Sequence, residues 1–534
     1  MNKKRFKQFF GFMLVIVLAL VNISGCSGSS QTQNNGATQA QSTDTAQTQS
    51  TAAAQTGNDS FKRIRFARNE KVLTFDQSMS NNISNNINIL SVYDTLVERN
   101  PDGTISPRLA TKWEVNADAT EYIFYLRNDV KFSNGDQFTA EDVKATFMYP
   151  VENNTMRSSS FESIERIDVI DEYTVKFLCN KSFGALLSIA TIYGVYSHKL
   201  VERGADVMAV EMLGTGPYML KENLPDVKCT LERNPYYWDT PPYYDEYEYI
   251  FLLEDSTRLA AIQNGEIDIA DNMDPSLYET VESNQNMTLL KRDLADQFWV
   301  GLKCDREPFS DLKVREAASL SIDRNALVSI VKGGKPAGGI VVSTALGGGR
   351  LPPYEYNPEK AKQLLEESSY DGRELIFLSF VGNLVMTMEQ LEAIQAMMTA
   401  VGFNVKLDIY DNATFMERRS AELYDMFWTA SAHEAGDPIN FLNTRVLGNS
   451  QMCNYENQEM MSWIRKGSEL SAAEDRADAY AKVNEISAQE FAPFLGLNEV
   501  VCGYAISNKI DPNCFERAFG IDRVVLPRFL VGLE

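Results

Sequence analysis

The chain has 534 residues, 44% of them apolar, and a formal charge of −23 at neutral pH. Its composition is that of a globular protein, but the length exceeds what one hydrophobic core supports, so two or three domains are expected. So acidic a surface argues against nucleic acid and anionic lipid as partners.

The N-terminal stretch reads as an export signal. Lys3, Lys4, Arg5 and Lys7 form a basic head, Phe9 to Val21 is an apolar run, and Ile23-Ser24-Gly25-Cys26 brings small residues up to a cysteine. The run is short for a membrane span, which needs ~20 apolar residues. Ser-Gly-Cys resembles the lipobox of bacterial lipoproteins, which implies removal of residues 1–25 and lipid on Cys26. A plain signal peptide or an uncleaved anchor is the alternative. Loss of the four cationic residues would take the formal charge from −23 to −27. Residues 26–60 are Gln, Thr, Ser, Ala, Asn and Gly with almost no large apolar side chain. Such a segment buries too little surface to offset its ordering entropy and reads as a leash. Its reach as a random coil is roughly 30 Å. The chain is therefore expected outside the cytoplasm, anchored to the cell membrane by lipid. Where an outer membrane exists, that is the periplasmic space.

Beyond the leash, Phe61 to Phe75, Glu121 to Leu126 and Thr174 to Leu178 alternate β-branched or aromatic residues with polar ones, which predicts strands. Thr139 followed by Ala140-Glu141-Asp142 predicts a capped helix with acidic residues in its first turn. Gly135 in Ser-Asn-Gly-Asp marks a turn needing positive φ. The longest later apolar run, Gly184 to Val195, is interrupted by Ser188 and Thr191, too short to span a membrane. Glycines at 333–339 and 347–349 punctuate a loop. Asn357-Pro358 opens a helix with proline at its first position. Gln390 to Val401 is an amphipathic helix closed by Gly402, and Phe403 to Ile409 alternates as a strand. Helices and strands alternate over roughly 290–500, which is α/β organisation. Cys179, Cys229, Cys304, Cys453, Cys502 and Cys514 are scattered without a C-x-x-C spacing, and sequence alone leaves their pairing open.

Catalytic patterns fail. There are two histidines, His198 and His433. His433-Glu434-Ala435-Gly436-Asp437 starts like a zinc-protease motif but has no second histidine at the required position. Gly334-Lys335 is followed by Pro336, so no phosphate-binding loop forms, and there is no G-x-S-x-G elbow. Any acid–base chemistry would rest on carboxylates, and with 73 of them suggestive pairs arise by chance. No enzyme activity and no cofactor are expected; an extracellular hydrolase is the runner-up reading.

Several stretches together resemble one family. They are Pro107-Arg108-Leu109-Ala110 with Trp113; the run YIFYLRNDVKFSNGDQFTAEDV from Tyr122 to Val143; Gly214-Thr215-Gly216-Pro217-Tyr218; and Arg233-Asn234-Pro235-Tyr236-Tyr237-Trp238. Gly265-Glu266-Ile267-Asp268, Phe309-Ser310-Asp311 through Arg315, Ile322-Asp323-Arg324, and Asp437-Pro438 with Phe441-Leu442 continue the series. In number and order these resemble the solute-binding proteins, family 5, of oligopeptide, dipeptide and nickel ABC importers.

That resemblance implies a two-lobed α/β fold of the periplasmic-binding-protein type with an additional inserted domain. Lobe I would comprise 61–95, 172–292 and 495–534, the insertion 96–171, and lobe II 293–494. It implies a monomer that captures an oligopeptide or dipeptide between the lobes and hands it to permease and ATPase subunits. A nickel or metal-chelate cargo, another small solute, or delivery to a sensor are the alternatives within the family. By register, Glu434 stands where peptide-binding members carry the aspartate that meets the peptide's amino terminus. Arg419, four residues after Phe415, matches an arginine that approaches bound peptide. Phe298 and Trp299 fall where the family lines its cleft with aromatics, and alternation puts one of them in the core. Trp428 lies three residues before Ser431, where the family's aromatic usually stands. His433 adjoins Glu434 and is the candidate ligand for a nickel-type cargo.

Overall fold

A computed structural model describes residues 62–80, 89–380, 387–433, 436–447, 450–519 and 525–533 of the chain. The expected signal, Cys26, the leash and Glu434 lie outside the described residues. Its main feature is one mixed sheet. The strand order is Asn404–Tyr410, Glu374–Phe380, Met426–Ala432, Met287–Leu302, Phe494–Ser507, Ile269–Ala270, Arg63–Arg68, Glu246–Phe251, Lys228–Arg233, Tyr218–Leu224. The short strand Lys335–Pro336 joins beside Phe494–Ser507.

Two of these strands are unusually long, Met287–Leu302 with 16 residues and Phe494–Ser507 with 14. They pair antiparallel from Met287↔Ser507 to Gly301↔Phe494, and the ladder breaks between Asp293 and Gln297 and again before Trp299. On one side of them, Glu374–Phe380 and Asn404–Tyr410 run parallel, linked by the helix Thr387–Val401. On the other side, Arg63–Arg68 runs parallel to Glu246–Phe251. Parallel neighbours joined by a helix are buried on both faces, and Leu375, Phe377 and Leu378 accordingly have no exposure.

A second sheet has the order Ala110–Val115, Glu121–Leu126, Thr174–Cys179, Ile164–Asp171. Tyr122, Phe124 and Leu126 alternate inward, as the strand period requires. They face the helix Ala140–Glu152, where Phe147 meets Phe177 edge-on at 5.2 Å. Asp142 accepts the Thr139 N–H at 2.8 Å at this helix start, and its other oxygen takes the His198 backbone N–H at 2.8 Å. Gly135 has φ +89°, with Tyr236 packed against it. The strand Thr174–Cys179 belongs to this sheet although it lies past residue 171, the expected edge of the insertion.

Other elements fall near their predicted places. The Asn357 side chain accepts the Lys360 N–H at 3.1 Å and starts the helix Pro358–Glu366. The helix expected from Gln390 begins earlier, at Thr387, and ends at Gly402 with φ +114°. The strand expected over Phe61 to Phe75 is shorter, Arg63–Arg68. Its parallel partner ends opposite Arg68, at Phe251. Asp76 then turns the chain by accepting the Ser78 N–H at 2.9 Å. Among the described residues no helix is long and apolar enough to cross a membrane.

The motifs that carried the resemblance meet in space. Asp94, 1% exposed, accepts from Arg108 Nε at 2.9 Å and Nη2 at 2.7 Å, from Thr215 Oγ1 at 3.0 Å and from Trp238 Nε1 at 2.9 Å. Arg108 and Arg127 both lie over the Trp238 ring, at 4.5 and 4.1 Å from its centroid. Gly214 sits beneath Val92, where an added Cβ would fall 2.0 Å from the Val92 carbonyl oxygen. Elsewhere, Asp323 caps the helix Arg324–Ile330, and the buried Arg324 guanidinium donates to the Gly496, Ser319 and Ile322 carbonyls. These residues hold chain crossings together.

Candidate functional site

The break in the long-strand ladder is where the candidate residues gather. Strand alternation sends Phe298 and Trp299 to opposite faces of the sheet, and register then fixes their companions. Phe298 lies opposite Ala430 and Val300 opposite Trp428, so Phe298 and Trp428 share a face, with ring centroids 5.3 Å apart. Trp428 is 1% exposed and packs among Val300, Leu302, Leu375 and Phe377. It is a core residue of that half. Phe298 is half-buried at the rim of the same cluster. From Trp428 the aromatic contacts continue to Phe380 at 6.5 Å and from Phe380 to Phe415 at 4.9 Å.

Arg419 ends that row, its guanidinium 5.6 Å from the Phe415 ring centre. It is half-buried, and desolvation lowers its pKa. Arg445 lies nearby with Nη1 3.3 Å from Met452 Sδ; burial and then the charge of Arg419 lower its pKa. Neither guanidinium has a carboxylate partner among the described residues. Two cations held close without an anion are an unbalanced arrangement, suited to receive one.

Trp299 faces the other way and has no exposure. It stacks on Phe441 at 4.8 Å and 15°, with His433 at 6.1 Å and Phe494 at 6.4 Å. Around this stack two buried polar atoms have no hydrogen-bond partner among the described residues, Trp299 Nε1 and Gln297 Oε1, while the His433 ring faces the Ala295 and Ile340 carbonyls. Natural proteins leave few such atoms, and a cluster of them marks a place where water or ligand completes the bonding. His433 is anchored by its N–H to the Ala295 carbonyl at 2.7 Å, with Nδ1 3.3 Å from the same oxygen. Burial lowers its pKa to about 4, so the ring is neutral at physiological pH. Glu434 lies outside the described residues; its neighbours His433 and Gly436 are joined by a 2.8 Å backbone hydrogen bond.

A strap over 339–349 crosses this region. Gln297 Nε2 donates to the Gly339 carbonyl at 2.7 Å. Asn484 Oδ1 accepts from Ile340 and Val341 at 2.8 and 3.0 Å. Ser343 N–H donates to Glu499 Oε1 at 2.8 Å, and Leu346 N–H to the Gly436 carbonyl at 2.8 Å. Beyond Gly436, Asp437 is 4% exposed and bridged by Arg476 on both oxygens at 2.7 and 3.0 Å; it also accepts from Ser188 Oγ at 2.8 Å. Beside that bridge lies a half-open cavity of about 680 Å³ lined by Phe183, Ser188, Ile189, Asp437, Ile439 and Arg465, among others. Its size suits a small ligand. None of Phe298, Trp299, Arg419, Trp428 and His433 lines it. Sequence reading missed Arg445, Gln297, the strap and Ser188, because each acts through a partner distant in sequence.

The neutral state of His433 has a consequence in acid. Unfolded, the ring takes a proton near pH 6.5, whereas folded it resists until about pH 4. Between those values the unfolded chain binds more protons, so stability falls as pH drops through the window. The expected loss attributable to His433 is about 3 kcal/mol. Urea midpoints at pH 7 and pH 4 measure it, and His433→Gln should flatten the difference. An unchanged pH slope in the variant would assign the acid sensitivity elsewhere.

Comparison with known proteins gives the following. Residues 104–452 match the family described as bacterial extracellular solute-binding proteins, family 5 middle. The di/tripeptide-binding protein 2 of Pseudomonas aeruginosa is 27% identical over 416 residues, which is 70% of this chain and 76% of that one. The heme-binding protein A of Haemophilus influenzae is 25% identical over 488 residues, 82% of this chain and 87% of that one. NikA from Brucella suis, solved in complex with Fe(III)-EDTA, aligns with a TM-score of 0.79 at 22% identity, over 88% of this chain and 100% of that one. DppA from Helicobacter pylori, in complex with the peptide STSA, aligns with a TM-score of 0.71 at 22% identity, over 88% and 98%. The fold is the two-lobed α/β fold of periplasmic binding proteins.

Proposed function

The chain belongs to the bacterial extracellular solute-binding proteins of family 5 and is the substrate-binding component of an ABC importer; from that premise we propose that it captures short peptides between its lobes. The observation that carries this reading is the Arg419–Arg445 pair, two guanidiniums lacking a carboxylate partner among the described residues and standing at the end of an aromatic row. A peptide's carboxylate would balance that charge bidentately. Glu434 is our candidate for the ammonium end, by register. The unsatisfied atoms of Trp299 and Gln297 would complete contacts to the peptide backbone. The di/tripeptide-binding relative supports the same class. Lobe I is proposed over 61–95, 172–292 and 495–534 and lobe II over 293–494, the ligand stabilising a closed arrangement of the two.

Thermal melts with dipeptides and tripeptides test the class. A ligand at a hundred times its Kd should add about 2.7 kcal/mol of stability, and Glu434→Gln should weaken it at least tenfold. Small molecules released from purified, denatured protein are read by mass spectrometry alongside. A metal chelate or a non-peptidic solute in that release, with no response to peptides, would overturn the reading.

The chain works outside the cytoplasm. We propose that Cys26 carries the lipid that keeps it at the cell membrane, with residues 26–60 as the leash. Cys26→Ser should release folded protein into the medium of a cell lacking an outer membrane; retention in the membrane fraction would contradict cleavage.

A further inference from the structure

Cys304 and Cys453 stand apart from the candidate site and far apart in sequence, yet they meet. The Cys304 N–H donates to the Cys453 carbonyl at 2.7 Å. That contact makes the two residues spatial neighbours, and the charge of one thiolate is felt at the other, as the short span of a disulfide requires. Both side chains also converge on one residue. Cys304 Sγ lies 3.3 Å from the Leu302 carbonyl oxygen, and the Cys453 thiol is held by the Leu302 backbone. Both are free thiols in the structure. Cys304 is partly exposed and borders an open cavity of about 730 Å³ with Asp305, Ser310, Arg315 and Tyr455, the side from which a reagent would approach. Cys453 is 2% exposed and shielded behind it.

We propose that Cys304 and Cys453 form a disulfide site, closed by a small disulfide reagent such as oxidised glutathione and stapling the end of the long strand Met287–Leu302 to the helix Ser450–Cys453. The chemistry is two exchanges. The Cys304 thiolate attacks the reagent's S–S bond, forms a mixed disulfide and expels one reagent thiolate. The Cys453 thiolate then attacks the Cys304 sulfur and expels the second. Two protein thiols and one reagent disulfide become one protein disulfide and two reagent thiols. Electrons and protons balance without a further oxidant. Burial pushes the Cys304 thiol up to about 12 and the Cys453 thiol upward, with Cys304's proximity adding to the latter. Few thiolates form near neutrality, so closure is slow and speeds up in mild alkali. The same burial shields the finished bond from attack. The chain's place outside the cytoplasm is where such bonds persist.

The test uses the folded full-length protein treated with oxidised glutathione at mildly alkaline pH, then alkylated, digested and mapped. The expected result is a cross-linked peptide joining Cys304 to Cys453, its mass lower by two hydrogens than the summed reduced peptides. A raised Tm that dithiothreitol reverses should accompany it. Cys453→Ala should instead trap glutathione on Cys304 and lose the Tm rise. Two outcomes overturn the proposal: both thiols remaining fully alkylatable after oxidation, or wild-type Cys304 stopping as a stable glutathione adduct. Because wild-type protein carries the primary readout, a poorly folding variant leaves the test intact.

Discussion

Asp94→Ala should destabilise the protein by about 3–5 kcal/mol, the loss typical when one partner of a buried ion pair is removed. Asp94 gathers two bonds from Arg108, one from Thr215 and one from Trp238. The alanine variant strips all four donors of their acceptor. It leaves the Arg108 guanidinium, 6% exposed, with Asp239 at 2.7 Å and the Tyr237 hydroxyl as its remaining side-chain acceptors. Asp94→Asn keeps an acceptor for Thr215 and Trp238 but not the charge, so an intermediate loss is expected. Urea unfolding midpoints at constant slope measure both. A loss in Asp94→Ala under about 1 kcal/mol would be typical of a solvent-exposed pair and would contradict the junction described above.

Arg476→Ala is expected to be comparably damaging, again about 3–5 kcal/mol. The Asp437 carboxylate would be left buried with only the Ser188 hydroxyl and the Ile439 N–H at 3.1 Å. Arg476 also donates to the Gly467 carbonyl at 2.9 Å and to the Tyr480 hydroxyl at 3.1 Å. Lysine cannot reproduce that fork, so Arg476→Lys should recover little. Ser188→Ala removes one hydrogen bond and should cost about 1 kcal/mol. A double-mutant cycle between Asp437→Asn and Arg476→Ala isolates the pair, and a coupling energy near zero would show that the two residues act separately.

Much of the fold was readable because its signals are local. Glu121 to Leu126 alternates strictly, and the strand has those bounds. Asn357-Pro358 and Gly402 punctuate their helices by capping chemistry that needs only a few neighbours. The opposite facing of Phe298 and Trp299 followed from the two-residue period. Which of them Trp428 would join did not, since that depends on the pairing of Val300 with Trp428 across strands more than a hundred residues apart. Likewise the motif residues Arg108, Thr215 and Trp238 were visible separately, while Asp94, the anion binding all three, carried no pattern of its own. Arg445 was missed because its sequence surroundings are ordinary; only the proximity of Arg419 gives it meaning.

The pair of long strands sets the mechanics of the sheet. Their hydrogen-bonded ladder runs from Met287↔Ser507 to Gly301↔Phe494, interrupted between Asp293 and Gln297 and again between Gln297 and Trp299. A laminate of two glued plies resists shear, because sliding would break every bond at once. It yields most easily where the glue is missing. Between Asp293 and Trp299, where the register shifts twice, bending this strand pair would cost the fewest ladder bonds. Trp299 stands at the second of these shifts and His433 is tied to the first through the Ala295 carbonyl, so the buried aromatic stack lies against the part of the sheet with the fewest ladder bonds.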